Sequence, residues 1–314
     1  MSETSRPLPA TLPLPPPPPP RGIRQWPVWC GIGAMWLMAQ LPWSLQRGLG
    51  RTLGALLRWA LTSRRAVVRA NLAVCFPEQT DVWREALLRE NFAALGIGLF
   101  EFARAWWGRI EPMRRTARYV GVEALRQVLD QGRGAILISG HFMTLEICGR
   151  LLCEKIPLAG MYRPHDTAAM EWAVKRGRLR YACAMFGRDE LRPALRHLKQ
   201  GGALWFAPDQ DTLRGDNVFV PFFGEPARSL TSTHQLARMS GAAVFAFFHR
   251  READGSYTLE VKPAFEDFPG GDAAADTARV MAAIEAMARA APSQYLWMHK
   301  RFKRRPEGAA PIYD

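Results

Sequence analysis

Residues 134–150, GAILISGHFMTLEICGR, have the pattern of a strand, a turn and a helix in succession. Residues 135–139 form a short apolar run with branched side chains between two glycines, which is typical of a buried strand. From Phe142 onward, apolar and polar residues alternate as in the first turns of a helix. We therefore predict that His141 lies in the turn where the chain leaves a buried strand.

His141 and Glu146 are residues of the types that serve as a base and as the acid that orients it. On one straight helix, two residues five positions apart point about 140° away from each other. If His141 instead lies in the turn before the helix, the Glu146 carboxylate can reach the ring nitrogen that faces away from a substrate. There it would fix the tautomer and favour the imidazolium. Spacing alone leaves the alternative open, a histidine at a helix start with a solvated glutamate.

The composition places the chain among globular proteins with acidic partners. It has 314 residues, of which 48% are hydrophobic, enough for one large domain or two small ones. The net charge of +13 favours nucleic acid, an anionic membrane, phosphorylated lipid or an acidic protein as partner. The five cysteines contain no C-x-x-C pair, which argues against a disulfide framework or a zinc site and favours a reducing compartment.

The N-terminal region divides into a proline-rich leader and an apolar segment. Residues 1–25 include an unbroken proline run, from which we predict an extended, disordered leader. Residues 26–43 carry no charge and have tryptophan at both ends, so they either span a bilayer or lie in one leaflet. We predict a membrane anchor at residues 26–45. More arginines follow it than precede it, which places the remainder of the chain in the cytoplasm.

Beyond the anchor, we predict one domain over residues 46–314, with a helical part over 46–118 and an α/β core over 119–314. Strands that alternate with helices predict an α/β fold, with a mixed, mostly parallel sheet flanked by helices and functional groups at the strand ends. The predicted helices cover 44–61, 82–107, 122–129 and 277–290, and the predicted strands cover 135–139, 204–207, 244–248 and 257–262.

Two basic clusters allow more than one interpretation. Arg163, in the sequence YRPH, precedes a proline on constrained backbone and is placed to clamp an anion. The basic run that follows is otherwise typical of a solvated helix face. Residues 299–305 form a basic tail that either binds phosphates or keeps the C-terminus in solution.

Four common catalytic motifs are absent from the sequence. There is no phosphate-binding loop, no dinucleotide-binding glycine motif, no G-x-S-x-G elbow and no H-E-x-x-H. Nucleotide hydrolysis, dinucleotide redox chemistry, serine hydrolysis and zinc proteolysis therefore lose their simplest signatures.

Several short motifs occur together in an order that identifies a family. A histidine and an acid separated by four residues are followed by YRPHD, WFAPDQD, FVPFFGEPA and QYLWMHKRFKRRPEG, and preceded by ENFAALGIGLFEFARAWW. Asn71-Leu72 and Cys75-Phe76-Pro77-Glu78 also match. The chain resembles, over roughly residues 26–308, the late acyltransferases of lipid A biosynthesis, the lauroyl and myristoyl transferases of the lysophospholipid acyltransferase superfamily.

The resemblance implies transfer of a fatty acyl chain from acyl carrier protein to a hydroxyl of a 3-hydroxyacyl chain on a Kdo-bearing lipid A precursor. It implies His141 as general base and Glu146 as its orienting carboxylate, with no covalent intermediate. Arg163 and Asp209 would shape the acceptor and phosphate site, and Gln210 and Asp211 are further candidates from the same block.

The resemblance also implies a location and a set of partners. The enzyme would be on the inner membrane with its catalytic domain on the cytoplasmic face. Its partners would be acyl carrier protein, the lipid A precursor and inner-membrane phospholipid, with no nucleic acid. It would need no metal and no cofactor apart from the acyl donor.

Two other functions remain open at this point. The first is an acyltransferase that acts on another glycolipid or a lysophospholipid, with acyl-CoA as donor. The second is a non-enzymatic, basic, membrane-tethered binding protein, for example for nucleic acid. The second predicts that His141→Ala leaves function untouched and that binding weakens steeply with salt.

Overall fold

The computed structural model describes residues 18–213 and 215–313. Most of the predicted disordered leader lies outside the described residues; at its end, a short 3-10 helix covers Ile23–Gln25. The helices of the described chain are α1 (Trp26–Gln40), α2 (Trp43–Ala60), α3 (Thr62–Cys75), α4 (Asp81–Trp107), α5 (Glu111–Thr116), α6 (Val122–Asp130), α7 (Leu145–Cys153), α8 (Ala168–Arg178), α9 (Leu191–Lys199), α10 (Ser232–Ser240) and α11 (Ala273–Ala290). The strands are β1 (Arg118–Val120), β2 (Ala135–Ile138), β3 (Leu158–Tyr162), β4 (Ala184–Gly187), β5 (Ala203–Phe206), β6 (Asn217–Phe222), β7 (Glu225–Leu230), β8 (Ala243–Arg251) and β9 (Tyr257–Ala264).

Seven of these strands form one mixed sheet in the order β1-β9-β8-β2-β5-β3-β4. The five neighbours β8, β2, β5, β3 and β4 run parallel, and only the β8–β9 pairing is antiparallel. β6 and β7 form a separate antiparallel hairpin. The predicted α/β fold with a mostly parallel sheet is confirmed.

The central strand β2 is apolar on both faces because helices cover both sides of the sheet. All four of its residues are fully buried. Ile136 and Ile138 belong to a core shared with α9, α10 and α11, whereas Ala135 and Leu137 belong to a second core under α6 and α7. This alternation follows the two-residue period of a strand.

The N-terminal helices pack onto this core through an unusually close helix crossing. A Cβ atom at Gly54 of α2 would lie 2.2 Å from the Phe92 carbonyl oxygen of α4, and one at Gly96 would lie 2.0 Å from the Gly50 carbonyl oxygen. The two backbones are therefore in direct contact, which only residues without a side chain permit.

Two asparagines of these helices hold a C-terminal segment, residues 293–299. Asn91 Nδ2 in α4 donates to the carbonyl oxygens of Ser293 and Tyr295 at 2.9 and 2.7 Å. Asn71 Nδ2 in α3 donates to those of Trp297 and His299 at 2.6 and 2.8 Å. The helical N-terminal part thus fixes the position of Tyr295.

The apolar segment predicted at residues 26–43 forms a helix of 15 residues and then turns at Pro42 into α2. Across residues 18–213 and 215–313, no helix combines the length and the apolarity that crossing a membrane requires. The prediction of a spanning helix is not confirmed.

The basic tail is largely built into the protein. Arg301 is 3% exposed and donates through Nη1 to the Arg228 carbonyl oxygen at 2.6 Å. Arg304 pairs with Asp211 at 2.7 Å, and Arg305 pairs with Glu225 at 2.7 Å. These three cations pair within the protein and do not lie in solution, while phosphate binding by the tail stays a prediction.

The close crossing of α2 and α4 predicts opposite effects for two glycines of the same helix. Gly54→Ala should lower the free energy of unfolding by about 1–3 kcal/mol, because the new methyl overlaps the α4 backbone. The control Gly48→Ala, where nothing lies within 4 Å of the added Cβ, should gain up to about 1 kcal/mol from helix propensity. Urea denaturation followed by circular dichroism measures both. Equal stability of the two variants would contradict the crossing.

Candidate active site

His141 lies just beyond the end of β2, as the sequence predicts. A glycine at position 140 allows the backbone to pack closely against its neighbours, because a Cβ there would lie 2.9 Å from Tyr295 Cε2 and from Ile284 Cγ2. The His141 carbonyl oxygen accepts a hydrogen bond from Leu296 N at 2.8 Å. The turn that carries His141 is therefore fixed by the same C-terminal segment that α3 and α4 hold.

Asp209 is the carboxylate that binds the ring of His141. The distance from His141 Nδ1 to Asp209 Oδ1 is 2.5 Å, and the backbone N of His141 donates to Oδ2 at 2.9 Å. Tyr295 Oη donates to the same Oδ2 at 2.8 Å. Asp209 follows β5, the parallel neighbour of β2, so the carboxyl ends of two adjacent strands bring the pair together. Asp209 is 1% exposed, while the His141 side chain is 32% exposed.

The predicted contact between Glu146 and His141 is wrong. Nδ1 of His141 is already bound by Asp209, and Glu146 is satisfied by other donors in a buried position. Arg178 Nη2 donates to its Oε2 at 2.9 Å, and Trp106 Nε1 and Tyr181 Oη donate to its Oε1 at 2.6 and 2.7 Å. The helix also begins three residues later than the sequence indicated, at Leu145.

The site therefore contains two buried or half-buried ion pairs with shifted pKa values. Burial alone would raise the pKa of Asp209, but the charge and hydrogen bonds of His141 hold it well below its usual value. Burial alone would lower the pKa of His141, but Asp209 outweighs that effect and raises it. For Glu146 the penalty of burial is outweighed by Arg178, so its pKa is lowered. Both carboxylates are ionised at neutral pH.

A cavity of about 570 Å³ opens beside these pairs at the carboxyl edge of the sheet. His141, Glu146 and Arg178 form part of its wall. Most of the remaining wall is apolar and includes side chains from α7, β3, β4, β5 and α10; these are Leu145, Cys153, Leu158, Ala159, Met161, Met185, Trp205, Phe206, Leu236 and Met239. The arrangement suits a ligand with a long apolar part and a reactive polar group next to His141.

The other predicted site residues differ in their placement. Arg163 lies on the cavity wall with its side chain 64% exposed and an ion pair to Asp166 at 3.1 Å. Gln210 also lines the cavity. Asp211 has its side chain 1% exposed and is turned towards Arg304. The structure thus brings His141, Glu146, Arg163, Asp209 and Gln210 to one site and directs Asp211 into the protein.

Sequence reasoning missed Arg178, Tyr181, Trp106 and Tyr295. Arg178 belongs to a basic run that is typical of a solvated face, yet it pairs with Glu146 and its side chain is only 18% exposed. A buried glutamate needs donors, so the placement of Glu146 in an apolar helix was the signal for such a partner. The position of Asp209 directly after a predicted strand was the corresponding signal for His141.

Comparison with known proteins agrees with these observations. The family described as bacterial lipid A biosynthesis acyltransferase matches residues 20–304. A lipid A biosynthesis palmitoleoyltransferase of Escherichia coli (strain K12) is 40% identical over 292 residues, covering 92% of this chain and 95% of the relative. A lipid A biosynthesis lauroyltransferase of the same organism is 40% identical over 295 residues, with the same coverage. The chain belongs to the bacterial lipid A biosynthesis acyltransferase family.

Proposed function

We propose that this protein transfers a fatty acyl chain from acyl carrier protein to the hydroxyl of a 3-hydroxyacyl chain on a Kdo-bearing lipid A precursor. The observation that carries the proposal is the half-exposed His141 ring, with Nδ1 bound by a buried carboxylate and its other face on a large apolar cavity. The family to which the chain belongs supports the same substrate class.

His141 acts as the general base. With its Nδ1–H donated to Asp209, the ring presents the unprotonated Nε2 to the acceptor hydroxyl. As Nε2 takes the hydroxyl proton, the oxygen attacks the thioester carbonyl carbon and forms a tetrahedral intermediate. The intermediate collapses, the C–S bond breaks, and the leaving thiolate takes the proton from the imidazolium. No covalent acyl-enzyme forms.

Asp209 and Tyr295 keep the base in position for this step. The ring of His141 binds Oδ1 of Asp209, so it cannot rotate without breaking this hydrogen bond, and the backbone N–H of His141 holds the same carboxylate through Oδ2. The Tyr295 hydroxyl occupies the second carboxylate oxygen and holds the carboxylate in turn. The negative charge of Asp209 stabilises the imidazolium that forms during the reaction.

Arg178 stabilises the negative charge that develops on the thioester oxygen. Its guanidinium lies on the cavity wall, and its charge acts on His141, since it lowers the pKa of that ring against the effect of Asp209. Glu146 holds Arg178 there through two donor nitrogens, at 3.0 and 2.9 Å. A fixed cation at a developing oxyanion lowers the barrier more than a mobile one, because no reorganisation is needed.

The polar cavity mouth supports a phosphorylated acceptor and an acidic donor protein. Arg163 and Arg188 both line the cavity. Nε of Arg188 is buried and makes no hydrogen bond within the described chain, so the positive charge of this guanidinium, rather than an exposed Nε–H, would attract an oxyanion at the wall. The overall charge of +13 favours approach of an acidic carrier protein.

We further propose that α1 and α2 attach the protein in the plane of the inner membrane, on its cytoplasmic face. On α2, four large apolar side chains point to the same side, at intervals that keep them within an arc of about 80° around the helix. They are Leu45, Leu49, Leu56 and Trp59, with exposures of 47%, 42%, 60% and 78%. Arg51 and Arg58 accompany this apolar stripe, a combination that suits the boundary of an anionic leaflet.

Asp209→Asn tests the base and its pKa together. The base works only when neutral, so activity falls as the pH drops through the pKa of His141, which Asp209 raises. The variant should lose about 10²-fold or more in kcat, and the acid limb of its remaining kcat/KM profile should move to lower pH. His141→Ala, the control, should lose activity at every pH. An unshifted limb in Asp209→Asn would remove Asp209 from this role.

A double-mutant cycle tests the pairing of Glu146 with Arg178. Glu146→Gln and Arg178→Met should each lower kcat by about tenfold or more, because each leaves the other partner misplaced or unpaired in a buried site. The double variant should be less impaired than the product of the single effects, measured by steady-state kinetics. Strictly multiplicative effects would show that Glu146 acts independently of Arg178.

Leu56→Glu tests the membrane stripe. A charge in the stripe should weaken sedimentation with phosphatidylglycerol-containing vesicles by about tenfold, with the circular dichroism spectrum unchanged. Val82→Glu is the matched control, because Val82 is an apolar residue of α4 with 82% exposure that lies outside α1 and α2. Equal loss in both variants would argue against the stripe as the contact surface.

The reaction itself is tested by supplying labelled acyl carrier protein thioesters, and the matching CoA thioesters, with a Kdo-bearing lipid A precursor and, separately, with a lysophospholipid. Transfer from the carrier protein by the native chain, and none by His141→Ala, is the expected result. Transfer only from CoA, or only to a lysophospholipid, would overturn the proposed donor or acceptor.

A further inference from the structure

The cavity beside His141 has two arms, one on each face of the sheet. Along β3, Leu158 packs in the core under α7, whereas the next residue, Ala159, packs in the core under α10. The same division separates Trp205 from Phe206 on β5. Residues of both sets line the one cavity, so its arms meet at the carboxyl edge of the sheet, where His141 lies.

The arm on the α7 side is a narrow apolar slot. Leu145, Gly149 and Cys153 line it and follow one another at intervals of four, so they form a single stripe along α7. A Cβ at Gly149 would lie 2.6 Å from Trp205 Cζ3, which means that the indole ring lies directly on the glycine. Trp205 is 9% exposed, so this wall of the arm is shielded from solvent.

The far end of this arm lies at the opposite edge of the sheet from His141. Cys153 is the last residue of α7, Leu158 is the first residue of β3, and Ala182 lies just before β4. Because β3 and β4 run parallel to β2, their beginnings lie at the edge away from the end of β2. Leu158 is 2% exposed, and its carbonyl oxygen accepts a hydrogen bond from Cys183 N at 3.0 Å, so the chain segments that begin β3 and β4 are paired at this end.

The arm on the α10 side is more open and more polar. Met239 is 44% exposed there, and Asp216 and Gln235 contribute polar groups to the wall. A large phosphorylated acceptor fits this open, polar arm. A single hydrocarbon chain fits the apolar slot under α7.

We propose that Cys153, Leu158 and Ala182 form the floor of the channel for the donor acyl chain and limit its length. The inference rests on the proposed acyl transfer and identifies the residues that would select the length of the transferred chain. From Leu145 to Cys153 the α7 stripe is about 12 Å long. With C–C bonds of about 1.5 Å, an extended chain advances about 1.3 Å per carbon, so the slot holds about nine carbons beyond Leu145. A chain that meets the floor too early cannot place its carbonyl at His141.

Cys153→Phe tests the floor by raising it. The native protein and the variant are supplied with carrier-protein thioesters of even-numbered saturated chains from octanoyl to palmitoyl. In Cys153→Phe, kcat/KM for the longest chain that the native protein accepts should fall by about tenfold or more relative to the shorter ones. Cys183→Phe is the matched control, since Cys183 is exposed and lies outside the cavity wall; its chain-length profile should match the native one.

Leu158→Ala lowers the floor and provides a second, independent variant. Its profile should move towards longer chains, opposite in direction to Cys153→Phe. A profile that keeps its shape in both variants, a loss that is uniform over all chain lengths in both, or the same shift in Cys183→Phe would overturn the inference. Failure of the native protein to transfer any chain would instead overturn the proposed function, so the two failures are distinguishable.

Discussion

The buried carboxylate of Asp209 is the group on which the rest of the site depends. It accepts from the His141 ring, the His141 backbone N–H and the Tyr295 hydroxyl, and these three donors offset the cost of burying its charge. They come from the end of β2 and from the C-terminal segment, while Asp209 itself follows β5. The pair therefore forms only when two parallel strands are in register and residues 293–299 are held in place by α3 and α4. The pairing of His141 with Asp209 therefore requires the correctly assembled fold.

The two ion pairs of the site have opposite effects on His141. Asp209 raises the pKa of His141 and favours its charged form, whereas Arg178 lowers that pKa. Glu146 pairs with Arg178 and so offsets part of the charge of this cation near His141. Glu146 thus contributes to the electrostatics of the site even though it makes no contact with the His141 ring. His141 and Glu146 therefore both belong to the site although each binds a different partner, Asp209 for His141 and Arg178 for Glu146.

The sequence predicts the elements of the fold better than the contacts between them. The long amphipathic α4 was placed within one residue at its start, and the continuous apolar run of β2 located the turn that carries His141. The partner of His141 was missed because Asp209 is 68 residues away along the chain, and only the strand order makes the two strand ends neighbours. Arg178 lies in a run that was interpreted as a solvated helix face, and Arg301 lies in a tail that was interpreted as phosphate-binding or solvated. A run of charges looks the same whether or not the fold supplies buried acceptors. Local sequence patterns show the periodicity of a helix or a strand, whereas the pairing of distant side chains depends on the topology of the whole fold.

The N-terminal helices connect the proposed membrane surface to the site through close backbone packing. α2 presents the apolar stripe and meets α4 at Gly54, where no side chain separates the two helices. α4 then holds Tyr295 through Asn91, and Tyr295 holds Asp209. On the other side, Trp29 of α1 packs edge-on against Trp172 of α8, the helix that ends with Arg178. Both ion pairs are thus connected to α1 and α2 by short, direct contacts. With the helices lying in a leaflet, the cavity would have a fixed orientation towards the bilayer from which a lipid acceptor must come.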